Sequence, residues 1–259
     1  MLSFSSLRQH SGVSPVLLRN FCRAISTAPL LKNPKIILHG FPNSGTCFLT
    51  RFALHAKGAK FEEQPLNVRM KPDGTPDTTG PSSKPWLEVD GLRIDMPGAI
   101  FNFVNERLEG PALLPASAEG RARSRTLASF CLGNMMPFQY WRVVSFLKAD
   151  MGLSDAQVQK WRRHWLEDGF EQVEDWLKNP EALCLSLPGG NSCAAPEPGR
   201  FCIGDSVSMA DIFLMPQVYW SQKGDAALRV DLSKYPHLKK VYENTAKEEA
   251  FVKSCPENI

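Results

Sequence analysis

The stretch from Ser83 to Val104, SKPWLEVDGLRIDMPGAIFNFV, constrains the fold more tightly than any other part of this sequence. Trp86 to Val89 is a short apolar-rich run that reads as a strand. Asp90-Gly91 is a hairpin signal, because both central positions of such a turn take φ > 0 and these residues tolerate it. Leu92 to Ile94 continues as the return strand. Asp95 is placed to cap the next helix, and Pro97 fits its first turn, where backbone N–H groups have no helical partner. Pro85 cannot donate to a ladder, so it marks the start of the first strand or a cis bond.

The rest of the chain divides around this unit. Lys35 to His39 (KIILH) reads as a buried strand, Gly40 to Gly45 as a loop, and Thr46 to Lys57 as a helix ended by Gly58. Lys60 to Val68 reads as a second strand, and the Pro- and Gly-rich run Lys71 to Ser83 as a loop. The helix from Pro97 runs to about Arg107, and Gly110-Pro111 and Pro115 form a linker. From Ser117 onward the pattern is almost entirely helical. One long helix is predicted over Ala118 to Leu147, bent near Pro137. Ser154 to Gln157 is a capping box that opens a helix reaching Leu177, with an aromatic face of Trp161, Trp165, Phe170 and Trp176 that reads as core. Pro180 to Arg200 reads as a long exposed loop. Val207 to Ile212 carries the strongest local signal: Ser208 caps a helix, Asp211 reaches back to it, and Val207 and Ile212 flank the pair as a hydrophobic staple. Tyr235-Pro236 opens another helix, and a short one spans Glu248 to Lys253.

Charge excludes one class of function. The 30 basic and 27 acidic residues give +3, but four basic residues precede Pro34 and the first acidic one is Glu62. The body is therefore near neutral, and nothing points to nucleic acid. Residues 1–31 are rich in Ser and Arg, lack Asp and Glu, and carry scattered apolar residues, the pattern of a mitochondrial presequence; a plain tail is the alternative. The expected location is mitochondrial, in the matrix or on its matrix side. No apolar run approaches the roughly 18 residues of a transmembrane segment. Seven cysteines are scattered without Cys-x-x-Cys or zinc-like spacing, so no metal is expected and the thiols read as mostly free. Cys184 and Cys193 share a loop and could pair.

Trp86 to Ile94 with its turn resembles the core of a thioredoxin-like domain. Its combination with a helical half resembles the glutathione transferases, most closely the zeta class, the maleylacetoacetate isomerases. The resemblance spans Pro34 to Asn258. It rests on Gly204-Asp205 with Ser208-Met209-Ala210-Asp211, Pro216-Gln217-Val218-Tyr219, Val230-Asp231-Leu232-Ser233, Tyr235-Pro236, Trp161-Arg162-Arg163-His164-Trp165 with Gly169-Phe170, and Glu249-Ala250-Phe251 with Pro256. It implies an α/β thioredoxin-like N-terminal domain over residues 34–110 and an all-α C-terminal domain over 116–259, behind the arm of residues 1–31.

The resemblance also implies a site for glutathione. The family's Ser-Ser-Cys aligns with Ser44-Gly45-Thr46, seven residues before Arg51. Ser44 would then donate to the glutathione sulfur at the positive end of a helix, favouring the thiolate. Thr46 offers a further hydroxyl. Both residues also fit an ordinary helix cap. Pro85 stands where the family's cis-proline exposes backbone groups to the cysteinyl part, with Lys84 before it. Gln139 matches a family Gln that reaches glutathione, and Lys223, aligned with an Arg, could attract a dicarboxylate. The family's Gln-Ser, which holds the γ-glutamyl carboxylate at a helix start, is replaced by Met96-Pro97: Met is a poor acceptor, and Pro has neither hydroxyl nor N–H. Asp95 beside it would repel that carboxylate.

Two functional expectations follow. The first is a transferase-like protein that has lost ordinary glutathione binding, needs no cofactor and serves as a non-catalytic accessory subunit among the proteins of a mitochondrial complex. The second is a glutathione-dependent cis–trans isomerase or transferase, in the family a homodimer.

Overall fold

A computed structural model describes residues 29–66, 84–179 and 199–259. The loop expected at Lys71 to Ser83, residues 180–198 of the loop expected over Pro180 to Arg200, the Cys184–Cys193 pair, and all of the N-terminal arm before Pro29 lie outside the described residues. Leu31 bridges to Leu108, and its N–H donates to the Arg107 carbonyl at 2.8 Å.

The first half is a four-stranded sheet in the order β2-β1-β3-β4. Its strands are β1 (Ile36–Gly40), β2 (Glu62–Pro65), β3 (Trp86–Val89) and β4 (Leu92–Asp95). β1 and β2 run parallel across helix α1 (Gly45–Ala56), and the other pairs are antiparallel. Ile36, Leu38, Leu87 and Val89 fall on one face by the two-residue strand period and are buried. Against them in the same core lie Phe48, Leu49 and Phe52 of α1 and Ile100, Phe101 and Val104 of α2 (Pro97–Arg107). Asp90 and Gly91 take φ of 50° and 81°, as the Asp-Gly turn requires. The Asp90 carboxylate also accepts from the Lys35 N–H, tying the turn to the start of β1.

The linker is pinned where it leaves this half. Lys57 Nζ donates to the carbonyls of Asn105, Gly110 and Pro111 at 3.1–3.4 Å, and burial pushes its pKa down. Gly110 takes φ 109°, and a Cβ there would lie 2.1 Å from the Lys57 carbonyl oxygen. Only glycine lets the chain pass so close.

The second half contains α3 (Ala118–Phe130), α4 (Trp141–Ala149), α5 (Asp155–Lys178), α6 (Met209–Lys223), α7 (Pro236–Thr245) and α8 (Glu249–Ser254). The single bent helix expected over Ala118 to Leu147 is instead interrupted. α3 passes into a π-turn at Cys131–Met135 and a 3₁₀ turn at Met136–Gln139, and Tyr140 is extended before α4 begins. Pro137 has no N–H for the ladder, its ring clashes with the preceding turn, and Gly133 and Asn134 are weak helix formers, so a break costs less than a bend. α5 and its capping box form where the sequence places them. Phe170 and Val173 are buried, whereas Trp161, Trp165 and Trp176 are only partly covered. No helix among the described residues is long and apolar enough to cross a membrane.

α6 is buried along almost its whole length. Its first turn is held by Asp211, which accepts from the Ser208 N–H and hydroxyl at 2.8 and 2.9 Å and from the Cys202 N–H at 2.8 Å. Burial pushes the Asp211 carboxyl up, and these donors pull it back. Replacing it leaves buried donors without an acceptor. Asp211→Ala is expected to lower unfolding stability by about 3 kcal/mol or more, read from urea midpoints at unchanged m-value; a loss below about 1 kcal/mol contradicts the assignment. Cys47, Cys131, Cys202 and Cys255 are free and buried, and burial pushes all four thiols up, Cys131 to about 12. Native protein treated with iodoacetamide near pH 7.5 is expected to leave these four unmodified by mass spectrometry, and denatured protein to react at all of them.

Candidate functional site

Strand register builds one edge of the site. His39 pairs with Trp86 and Trp86 with Asp95, so the next positions, Gly40, Pro85 and Met96, line up across the sheet, with Pro65 opposite Gly40 at its other side. A Cβ on Gly40 would lie 2.0 Å from the Cys47 sulfur and 3.4 Å from Pro85 Cβ. The loop leaving β1 therefore lies directly against Pro85, with Cys47 filling the space behind it.

Ser44 closes this loop and opens α1. Its N–H donates to the Phe41 carbonyl at 3.1 Å, closing a turn over Pro42 and Asn43. Its hydroxyl oxygen accepts from the Cys47 N–H at 3.4 Å, the ordinary N-cap bond. That bond uses one lone pair of the hydroxyl, and the same hydroxyl also bonds the Cys47 side chain, which draws that thiol's pKa down against its burial. The first turn of α1 carries no acidic side chain, so the positive end of the helix is not neutralised from within. Thr46, partly buried in that turn, belongs to the same structure.

The second half supplies the opposite wall. Met136 Cε lies 4.0 Å from a Cβ built on Gly45, and Leu132 Cδ1 lies 3.7 Å from one built on Gly98. The interrupted segment after α3 thus faces the starts of both α1 and α2.

Several expectations need correction. No peptide bond among the described residues is cis, so Lys84–Pro85 is trans, the isomer an X-Pro bond favours by about 0.5–1 kcal/mol. Lys84 is exposed and Pro85 half-buried. Asp95 does not cap α2. It belongs to β4, opposite Trp86, and its carboxylate is captured by Arg93 at 2.8–3.2 Å, which holds its pKa below the usual range. The Asp95 charge is therefore matched locally and is not a free repulsive charge. The N-cap of α2 is Met96, with φ 70° and ψ 130°, no capping side chain, and 65% exposure. Such a backbone costs a non-glycine residue on the order of 1–3 kcal/mol. Pro97 is buried in the first turn and offers no N–H.

Gln139 is engaged elsewhere: its amide donates to the Arg162 carbonyl and accepts from Arg162 Nε, both at 3.0 Å. Lys223 is the last residue of α6, exposed, with its charge acting on Cys255 of the C-terminal tail. Ser44, Thr46, Lys84, Pro85, Met96 and Pro97 thus share one end of the sheet, and neither Gln139 nor Lys223 is tied to it. No group of His, Cys, Asp and Glu among the described residues could hold a metal ion.

Two features were not singled out from the sequence as parts of a site. Arg51 is fully buried one turn beyond Cys47, and donates to the Pro42 carbonyl at 2.8 Å, the Ser254 carbonyl at 3.0 Å and Glu63 at 3.2 Å. A basic residue on the apolar face of a predicted helix was the available signal. On the second sheet face His39 stacks on Trp86 at 3.7 Å, and Arg93 lies over the same ring at 4.6 Å. Their alternation with buried residues was visible, but their stacking follows from register.

No family model matches the chain. Sequence relatives do. A probable maleylacetoacetate isomerase of Vibrio cholerae is 25% identical over 86% of this chain and 96% of its own length. The maleylpyruvate isomerase of a Ralstonia species is 28% identical over 85% and 96%. The maleylacetoacetate isomerase of Mus musculus is 28% identical over 86% and 93%. Among solved structures, the holo form of a zeta-class bacterial maleylpyruvate isomerase matches with a TM-score of 0.72 at 26% identity, covering 86% of this chain and 98% of that one. A maleylacetoacetate isomerase of Anaeromyxobacter dehalogenans with glutathione in its active site matches with a TM-score of 0.69 at 25% identity, over 88% and 98%. With its four-stranded mixed sheet and helical second half, the chain has the glutathione transferase fold, and its homologues are the zeta-class maleylacetoacetate and maleylpyruvate isomerases.

Proposed function

We propose that this protein is a glutathione-dependent isomerase of a small dicarboxylate with a cis double bond, of the maleyl type. The observation that carries the reading is Ser44: a hydroxyl at the unneutralised positive end of α1, beside the strand-end row that contains Pro85. The relatives are isomerases of such substrates, and one structural neighbour has glutathione in its active site. The other expectation, a non-catalytic subunit without glutathione, gains nothing from these relatives.

The residues present suit the sulfur end of glutathione. Ser44 would donate to the sulfur, and the α1 end would favour the thiolate. A thiolate supplies a nucleophile that adds reversibly to one alkene carbon, leaves a single bond free to rotate, and departs. Leu132 and Met136 would shield the reacting atoms from water. The γ-glutamyl end is served less well. If the family's placement holds, Met96 and Pro97 stand where two polar groups would hold the carboxylate, and each lost charge-assisted hydrogen bond is worth about 1.5–3 kcal/mol.

The full chain is expected to isomerise maleyl substrates only when glutathione is added, and Ser44→Ala to lower kcat by about 10²–10³. Absence of turnover at glutathione concentrations of tens of millimolar contradicts the reading. The double variant Met96→Gln/Pro97→Ser is expected to tighten glutathione binding roughly tenfold or more by calorimetry; unchanged affinity places the γ-glutamyl contact elsewhere. Residues 1–31 are proposed to direct mitochondrial import. N-terminal sequencing of endogenous protein is then expected to begin between Asn20 and Lys32, and an N-terminus at Met1 contradicts this.

A further inference from the structure

We propose that Arg51 is the positioning residue of the Ser44 loop, and that it makes the geometry of that loop depend on docking of the C-terminal tail. The inference rests on the isomerase reading for its catalytic consequence, but the coupling itself stands on geometry.

Arg51 lies on the buried face of α1 with no exposure to water. A guanidinium in such a place is costly to desolvate, and an apolar side chain would fill the same helix face without that cost. What an apolar residue cannot do is hold two backbone carbonyls at once. Nη2 donates to the carbonyl of Pro42, inside the turn that the Ser44 N–H closes onto Phe41. Nε donates to the carbonyl of Ser254, the last residue of α8. Nη1 is neutralised by Glu63 on β2, whose side chain is 28% exposed. The Ser44 loop and the tail, about 200 residues apart in sequence, therefore share one rigid planar donor.

The tail is docked on the same helix. Phe251 of α8 packs against Phe48 and Phe52 of α1 at ring distances of 5.4 and 5.3 Å. The Tyr219 hydroxyl of α6 bonds Glu257 beyond it. Displacing the tail would remove the Ser254 acceptor, leave a buried donor unmatched, and let the guanidinium tilt away from Pro42. Ser44 lies two residues from that carbonyl, so its hydroxyl would move with the turn. At a catalytic donor, a displacement of this order is felt in turnover before it is felt in binding.

The test uses the full chain carrying Arg51→Lys, which keeps the charge and loses the fork. Native-state hydrogen exchange read by mass spectrometry is expected to quicken at least tenfold at Ser44 to Cys47 and at Phe251 to Cys255 together, with β1 and β3 unchanged. In the isomerisation assay kcat is expected to fall about tenfold while KM stays within threefold. Tyr219→Phe, which removes only the bond to Glu257, serves if Arg51→Lys does not fold, and is expected to quicken exchange in the tail and, at least threefold, in the Ser44 loop. Unchanged loop exchange in whichever variant folds overturns the proposal, as does a rise in KM with unchanged kcat. If the natural chain shows no isomerisation, the functional reading fails and the exchange measurement still decides the coupling.

Discussion

A guanidinium without access to water holds three distant parts of this chain together. Arg51 joins the turn after β1, the rim of β2 and the end of α8 through bonds of 2.8–3.2 Å. Two of its acceptors are backbone carbonyls, one in the turn after β1 and one at the buried end of α8. Lys57, six residues further along at the C-cap of α1, does similar work at the linker with three carbonyls. α1 thus carries an apolar face for the core and two cations that gather carbonyls from both halves. The aromatic contacts of Phe48 and Phe52 with Phe251 explain why the tail stays against it.

The site follows from this arrangement together with strand register. Register lines up Gly40, Pro85 and Met96, and the Arg51 bond sets the turn that carries Ser44 beside them. The break after α3 brings Leu132 and Met136 over both helix starts. Strain sits in the same place: Met96 keeps a backbone conformation suited to glycine although its side chain caps nothing. Strain of this kind persists where surrounding structure over-determines it, and sites are where it gathers.

Local rules made much of the fold legible. Asp90-Gly91 specified the hairpin, and the capping boxes at Ser154 and Ser208 fixed the starts of α5 and α6. Each depends on residues within a few positions of one another. The misreadings share the opposite character. Asp95 looked like a cap because Pro97 follows, but β4 continues through it and Arg93, two residues back on the same face, takes its carboxylate. Pro85 looked like a cis bond by resemblance, and isomer choice belongs to tertiary surroundings. Gln139 matched a motif position, yet Arg162 on α5 satisfies both ends of its amide. Arg51 was visible only as a spacing mark, because its carbonyl acceptors have no side-chain identity to read.

The proposed chemistry depends on Ser44 and the start of α1 stabilising a thiolate. Ultraviolet absorbance of the bound thiolate, titrated with pH on the full chain saturated with glutathione, tests it without any substrate. A hydrogen bond to the anion and a helix N-terminus both favour the charged form. The bound thiol is expected to have a pKa at least about one unit below that of free glutathione, with most of the shift lost in Ser44→Ala. A bound pKa equal to the free value, or a shift that survives Ser44→Ala intact, would contradict it.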